Sequence, residues 1–313
     1  MSRIELNRKE NPLCIRCFNK EERGKVAEND LCNQVKSVED DLPVRCVGEW
    51  AEEKIYLLNQ YFGIFAEGMK NKWSLNYIEI CSGPGRCINR KNGKEFDGTS
   101  LAILKHDQFR YVNKAVFFDY DTNVIETLNQ RIGSLGLTQK ALAKHGDYNN
   151  PDSICTELAQ FNTYYFLNLI FIDPTDCSLP FSLLRRISNV LPKFDLIINV
   201  ATGTDFNRNI KMAFEDPTRA EKYIRFLGNE GFFTDPVNIA YFNRGDFRNL
   251  RMSFRNYYMD SLKTIGFRHF DCKQIRNFYD IVFATANARG IDFWKKATKD
   301  IESSGQRTID FGL

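Results

Sequence analysis

From Tyr77 onward the chain keeps setting a short, nearly solid apolar run beside a longer mixed segment. The runs cover 77–81, 115–119, 142–147, 169–174 and 196–201. Strands with one wet face alternate apolar and polar residues. Solid runs belong to strands covered on both faces, as in parallel sheets whose crossover helices lie above and below. Between the runs, 122–134, 151–160 and 181–190 read as helices. This alternation predicts a doubly wound α/β fold. Near the end, 267–272 and 279–285 are close enough to form an antiparallel hairpin. Five parallel strands and a terminal hairpin make seven, the count expected of a Rossmann-like class I methyltransferase sheet.

Two segments stand outside this pattern. Upstream, 50–70 carries Ile55, Leu58, Phe62 and Phe65 at helical spacing, with Glu52, Glu53 and Lys54 off the stripe, which predicts an amphipathic helix. Downstream, 203–265 breaks the alternation with Arg-, Phe- and Asn-rich sequence. It is expected to be a helical insertion over the carboxyl ends of the strands, where such folds bind ligands. The expected organisation is a polar, cysteine-bearing N-terminal extension at 1–48 and a Rossmann-like domain at 49–313 that contains the insertion.

Composition narrows the class of partner. No stretch approaches the roughly 20 apolar residues that cross a bilayer. The opening MSRIELNRKENP is polar and lacks the apolar centre of a signal peptide. A cytosolic chain with no membrane partner is expected. The net charge is +3 and the pI about 8.3, which permits a nucleic-acid partner without demanding one.

The strand ends hold the candidate chemistry. The first run continues as YIEICSGPGRC over 77–87. Gly83 and Gly85 clear the backbone of Cβ atoms so that a ligand can approach, and Ser82 and Glu79 stand beside them. Asp119 ends the second run, where an acid can accept from both ribose hydroxyls of an adenosine. Asp147 ends the third run and could accept from an adenine amine or cap the helix near Pro151. Asp173-Pro174 ends the fourth, placing a carboxylate and a carbonyl at the cleft, or simply closing the strand. The order of these parts is the one that S-adenosylmethionine requires. A dinucleotide site would need a third glycine three residues beyond Gly85, and Ile88 stands there. Arg86 stays open between a cofactor carboxylate, a phosphate and a surface acid.

Two further groups of residues stand out. Cys14 and Cys17 have the C-x-x-C spacing that grips a tetrahedral zinc, and Cys32 and Cys46 could complete the set. Nine cysteines, an odd number, in a reducing compartment argue against disulfides; reduced, unliganded thiols are the alternative to zinc. Arg244, Arg248, Arg251 and Arg255 are spaced four, three and four apart. On one helix they would form a basic face, flanked by Phe247, Phe254, Tyr257 and Tyr258. Such a face suits phosphates and stacked bases, or is a solvated face paired with nearby acids.

At these residues the chain resembles the three-Cys-motif partner (TcmP) family. The resemblance runs from Val47-Gly48-Glu49-Trp50 with Glu53-Lys54, through YIEICSGPGRC and FIDPT at 171–175, to YDIVFATANARGIDFWKK at 279–296. It covers roughly residue 50 to the C-terminus. It implies a class I S-adenosylmethionine-dependent methyltransferase fold and, as partner, a radical-enzyme-like protein carrying three cysteines. The FIDPT stretch is similar to the Asp-Pro-Pro-aromatic motif of amino methyltransferases. Asp173 and Pro174 match; Thr175 and Asp176 replace the second proline and the stacking ring, and Phe181 is the nearest substitute ring. In the full motif the acid and carbonyl accept from the target amine and aim its lone pair at the methyl group. The expectation is a methyltransferase acting on nucleic acid, with a base amine as target. The alternative is a non-catalytic nucleic-acid-binding or scaffolding partner that keeps the fold.

Overall fold

The structure, a computed structural model, describes residues 35–89 and 92–303, with side chains as far as residue 299. Its strands in chain order are β1 (Val35–Lys36), β2 (Pro43–Val47), β3 (Ser74–Ile80), β4 (Arg86–Asn89), β5 (Glu95–Asp97) and β6 (Val112–Asp119). They continue as β7 (Ala141–His145), β8 (Phe166–Ile172), β9 (Phe194–Val200), β10 (His269–Ile275) and β11 (Tyr279–Thr285).

The main sheet has the order β10-β11-β9-β8-β3-β6-β7. Its first five strands in sequence are mutually parallel, and β11 runs antiparallel to both β9 and β10. The chain winds from β3 outward to β7, then returns to β8 on the other side of β3. The carboxyl ends of β3 and β8 therefore flank the point where the winding reverses, the usual ligand crevice of such sheets. Register brings those ends level: Ile80 pairs with Phe118 and with Ile172, and Ile172 with Ile198.

Helices cover both faces. On one lies α1 (Trp50–Met69), whose Ile55, Leu58, Phe62 and Phe65 are buried as their spacing predicted. It shares a core with Tyr77, Phe117 and Phe283, and with Trp294 from the last helix. Next in sequence are α2 (Thr99–Leu104) and α3 (Thr122–Ser134). Asp121 caps α3 by accepting from the Asn123 N–H at 2.8 Å. Then come α4 (Asp152–Leu158) and α5 (Phe181–Val190), the latter matching its expected bounds. The third run departs from expectation. As the edge strand β7 it is covered on one side only, and Leu142 is 42% exposed.

The insertion forms α6 (Asn207–Glu215), α7 (Pro217–Leu227), α8 (Pro236–Asn243) and α9 (Phe247–Lys263). Four of its phenylalanines are core: Phe206, Phe226, Phe232 and Phe254 are fully buried, and the Phe206 and Phe254 rings lie 4.2 Å apart. After the β10–β11 hairpin, α10 (Ala288–Ser303) closes the described chain.

A second, smaller sheet, β1-β2-β4-β5, was not foreseen. In it β2 pairs in parallel with β4, so strands on either side of the expected boundary at residue 48 share one sheet. Arg131 of α3, 3% exposed, ties this sheet to the Gly-Pro-Gly loop. It donates to both Asp40 carboxylate oxygens at 2.8 and 2.9 Å and to the carbonyls of Pro43 and Pro84 at 2.9 and 2.6 Å. Burial would raise the Asp40 carboxyl, but Arg131 holds it below its ordinary value. Arg131→Met removes the donor shared by these acceptors, and in denaturant titration it is expected to cost about 1–3 kcal/mol. A loss under about 1 kcal/mol would show that the tie does not bear on stability.

Candidate cofactor and catalytic site

The loop after β3 is conformationally unusual. Cys81 (φ 65°), Gly83 (φ 66°) and Gly85 (φ 94°) are all left-handed. A cysteine there costs about 1–3 kcal/mol, the kind of strain that clusters at binding sites. The two glycines differ in their surroundings. A Cβ on Gly83 would meet nothing within 4 Å, so this backbone faces open space. A Cβ on Gly85 would stand 3.0 Å from Leu101 and Leu128, so Gly85 is where the loop packs onto α2 and α3. Ser82 donates its N–H to the Phe118 carbonyl at 3.0 Å, while its sealed hydroxyl has no hydrogen-bond partner.

Asp119 is bound to this loop. One carboxylate oxygen accepts from the Gly83 N–H at 2.9 Å and the other from the Asp121 N–H at 3.2 Å. Each oxygen keeps acceptor capacity for a hydroxyl. Asp147 accepts from the Asn149 N–H at 2.8 Å. It does not cap α4, whose cap position is Pro151. Glu79 is fully buried beneath the loop and accepts from Tyr77 Oη at 2.9 Å and from the Thr99 hydroxyl. Burial pushes its carboxyl up to about 8, against the opposing pull of those hydroxyls and of Lys54.

Asp173 stands at the end of β8 in close company. Its carboxylate pairs with the Lys54 ammonium and accepts from Asn199 Nδ2 at 2.9 Å. The same amide nitrogen lies 3.4 Å from the Pro174 carbonyl. Burial alone would depress the Lys54 ammonium, but Asp173 outweighs it and holds it above its usual range. Sequence reading missed both partners as site residues. Lys54 looked like solvated helix surface because it lies off the apolar stripe. Asn199 had a signal: an amide inside a fully buried run needs a reason.

The residues after Pro174 point elsewhere. Asp176 accepts from Lys222 of α7 at 2.8 Å and from the Ser178 hydroxyl; Lys222 also bridges to Asp205 at 2.8 Å. The insertion thus pins the lip in place. Phe181 is 1% exposed in the core and cannot supply a stacking ring. Arg86 is likewise settled. It binds Glu39 through two contacts of 2.5 Å and is structural.

The expected basic face divides. Arg244 is the C-terminal cap of α8, not part of α9. Arg251 donates to both oxygens of buried Asp280 at 3.1 Å. Arg255 reaches Cys272 Sγ at 3.5 Å and Asp280 at 4.0 Å. Arg248 is exposed and Phe247 is 40% exposed, but Phe254 and Tyr258 are fully buried. The cause is spacing: two of the four arginines face β11, and a turn at Gly245 (φ 69°) separates the first from the rest. Of the zinc candidates, Cys14, Cys17 and Cys32 lie outside the described residues, and Cys46 is buried in β2. No cluster of three or more metal-ligating side chains occurs among the described residues.

The fit to an adenosyl cofactor rests on the donors present. Sealed polar atoms without partners occur across the described residues, on Asn59, Gln108 and Trp294 among others; four of them are Arg45 Nη1, Ser82 Oγ, Asn199 Oδ1 and Thr204 Oγ1. These four belong to the loop after β3, the end of β9 and its following turn, and the strand beside β4. Buried polar atoms are nearly always paired, so those on the loop after β3 and at the end of β9 leave donors and acceptors open to a polar ligand. An open glycine backbone and two strand-end acids adjoin them.

The fold is a Rossmann-like domain with the strand order of methyltransferase sheets: numbered within the sheet, its strands run 3-2-1-4-5-7-6 with the seventh antiparallel. No family model and no curated protein matches the chain. Among solved structures it is similar to a Legionella pneumophila protein (9% identity, 82% of this chain and 93% of that one, TM-score 0.49). It is also similar to a methyltransferase from Geobacter sulfurreducens (11%, 77% and 81%, TM-score 0.35). A third is human N-acetylserotonin methyltransferase in complex with S-adenosylmethionine (17%, 74% and 52%, TM-score 0.32). Likenesses at this level carry no argument about activity; the fold class rests on the strand order itself. Among the described residues no helix is long and apolar enough to cross a membrane.

Proposed function

We propose that the chain is an S-adenosylmethionine-dependent methyltransferase. The observation that carries this reading is the gathering of an open left-handed glycine loop, Asp119 and Asp173 at the reversal point of the sheet. When bound, S-adenosylmethionine supplies an electrophilic methyl on a sulfonium centre. Gly83 leaves room for the cofactor, Asp119 accepts from the ribose hydroxyls and holds the loop through the Gly83 N–H, and Asp147 accepts from the adenine amine. Asp173 and the Pro174 carbonyl accept from the substrate atom that will be methylated, and alignment supplies most of the rate. Asn199 fixes both acceptors at once.

For the substrate we retain a nucleic acid with a base amine as target, supported by exposed Arg244, Arg248 and Phe247 and by the mildly basic balance. Arg251 and Arg255 serve the fold. The resemblance to three-Cys-motif partner proteins adds a radical-enzyme-like protein partner, and a zinc held by Cys14, Cys17, Cys32 and Cys46 remains a proposal. One observation favours a second reading: Lys54 already occupies Asp173, as it would in a domain that binds the cofactor without transferring the methyl.

Calorimetric titration with S-adenosylmethionine and S-adenosylhomocysteine tests the first step. Binding is expected, and Asp119→Ala is expected to weaken it by on the order of 10- to 100-fold. No binding by the wild type would overturn the proposal. Binding with no label transferred to total RNA, genomic DNA or lysate protein would favour the second reading.

A further inference from the structure

Three arginines stand near the junction of the small sheet and the glycine loop, and two of them have dedicated acids. Arg86 has Glu39, and Arg131 has Asp40. Arg45 has none: no carboxylate among the described residues pairs with it, and its Nη1 is sealed from solvent without a hydrogen-bond partner. A guanidinium that is always charged and half-buried without an anion is costly. Both neighbouring arginines, by contrast, hold a carboxylate.

The position of Arg45 says which anion is missing. In the β2–β4 register it lies directly across from Cys87, two residues beyond Gly85. It stands within electrostatic reach of both thiols that bracket the loop, Cys81 and Cys87. Burial pushes Cys87 up to about 12, while Lys54 first and Arg45 second pull the other way. Lys54, Arg45 and Arg131 therefore converge beside the loop; Lys54 is already committed to Asp173 and Arg131 to Asp40. The uncommitted one is Arg45.

We propose that Arg45 anchors the carboxylate of the cofactor's amino-acid portion, a subsite contributed by the N-terminal strand β2. This rests on the methyltransferase reading above. The carboxylate would take the bidentate N–H fork that Arg86 gives to Glu39. The subsite would make affinity depend on one charged group of the ligand. It would also join the small sheet to cofactor binding, since β2 carries Arg45 and is held to the main domain through Arg131.

Decarboxylated S-adenosylmethionine lacks that one group and serves as the probe. By calorimetry the wild type is expected to bind S-adenosylmethionine on the order of 10- to 100-fold more tightly than the decarboxylated analogue. In Arg45→Gln the preference should vanish: affinity for S-adenosylmethionine falls by that factor and affinity for the analogue stays put. Arg45→Lys should retain part of it. Without ligand, Arg45→Gln should be as stable as the wild type or more so, because it removes an unpaired charge. Equal affinity of the wild type for both compounds overturns the proposal and leaves the methyltransferase reading intact. So does an equal loss for both in Arg45→Gln, or a ligand-free loss of stability in that variant. A wild type that binds neither compound overturns the methyltransferase reading and this inference with it.

Discussion

Asp173→Asn is expected to lower methyl transfer by about 10²- to 10⁴-fold, while cofactor affinity changes by less than about threefold. The variant keeps the shape of the side chain and removes the charge that aligns the acceptor atom. The readout is radiolabelled methyl incorporation into total RNA, genomic DNA and lysate protein, with cofactor titration alongside. The substitution has a second consequence, because Asp173 is the counterion of Lys54, whose side chain is 13% exposed. Losing that partner strands a cation and is expected to destabilise the fold by about 3–5 kcal/mol. Adding Lys54→Met should recover most of the stability and none of the transfer. If transfer returns with stability, Asp173 acts only by folding the site. If Asp173→Asn leaves transfer unchanged, the acid is not part of the chemistry.

The second large effect is on stability against pH. Glu79 has an ordinary value of 4.5 and is pushed up to about 8, mainly by burial. The groups that bear on it are Tyr77, Thr99, Asp173 and Lys54. Because its value is raised, the folded protein binds the proton more tightly than the unfolded chain between about 4.5 and about 8. Stability contributed by protonated Glu79 is full below the lower value and is lost as pH rises to the upper one, a change on the order of 4 kcal/mol. Glu79→Gln removes that slope. Thermal melts from pH 4.5 to 9 should show the variant gaining on the wild type as pH rises and exceeding it at pH 9. Parallel curves would mean that Glu79 is ionised throughout.

Glu79 also shows how far sequence reading reaches. Its place one residue before the end of β3 was legible, and so was its neighbourhood to the loop. Its direction was not: register puts it on the same face as Tyr77, under the loop, where two hydroxyls occupy it. The strands were legible because a strand covered on both faces has few polar options. Helices such as 122–134 and 181–190 were legible because their apolar stripes are local. The basic face was misread for the converse reason. Spacing of four, three and four fits one helix face, but only the fold shows that Asp280 of β11 lies opposite two of those arginines. Phe254 and Tyr258 beside them are core because the insertion has its own packing against the sheet.

Sequence by itself determined the parallel sheet, its terminal hairpin, the glycine turn and the acids at successive strand ends. Each of these follows from local pattern, since burial on both faces, turn chemistry and strand ends are written within a few residues. Tertiary structure alone decided the partners: Lys54 with Asp173, 119 residues apart, Tyr61 with Asp195, 134 apart, and Arg131 with Asp40, 91 apart. It also decided that Arg45, alone among three arginines at its junction, pairs with no acid among the described residues. A charge's counterion depends on which distant strand is brought beside it, and no local period encodes that distance.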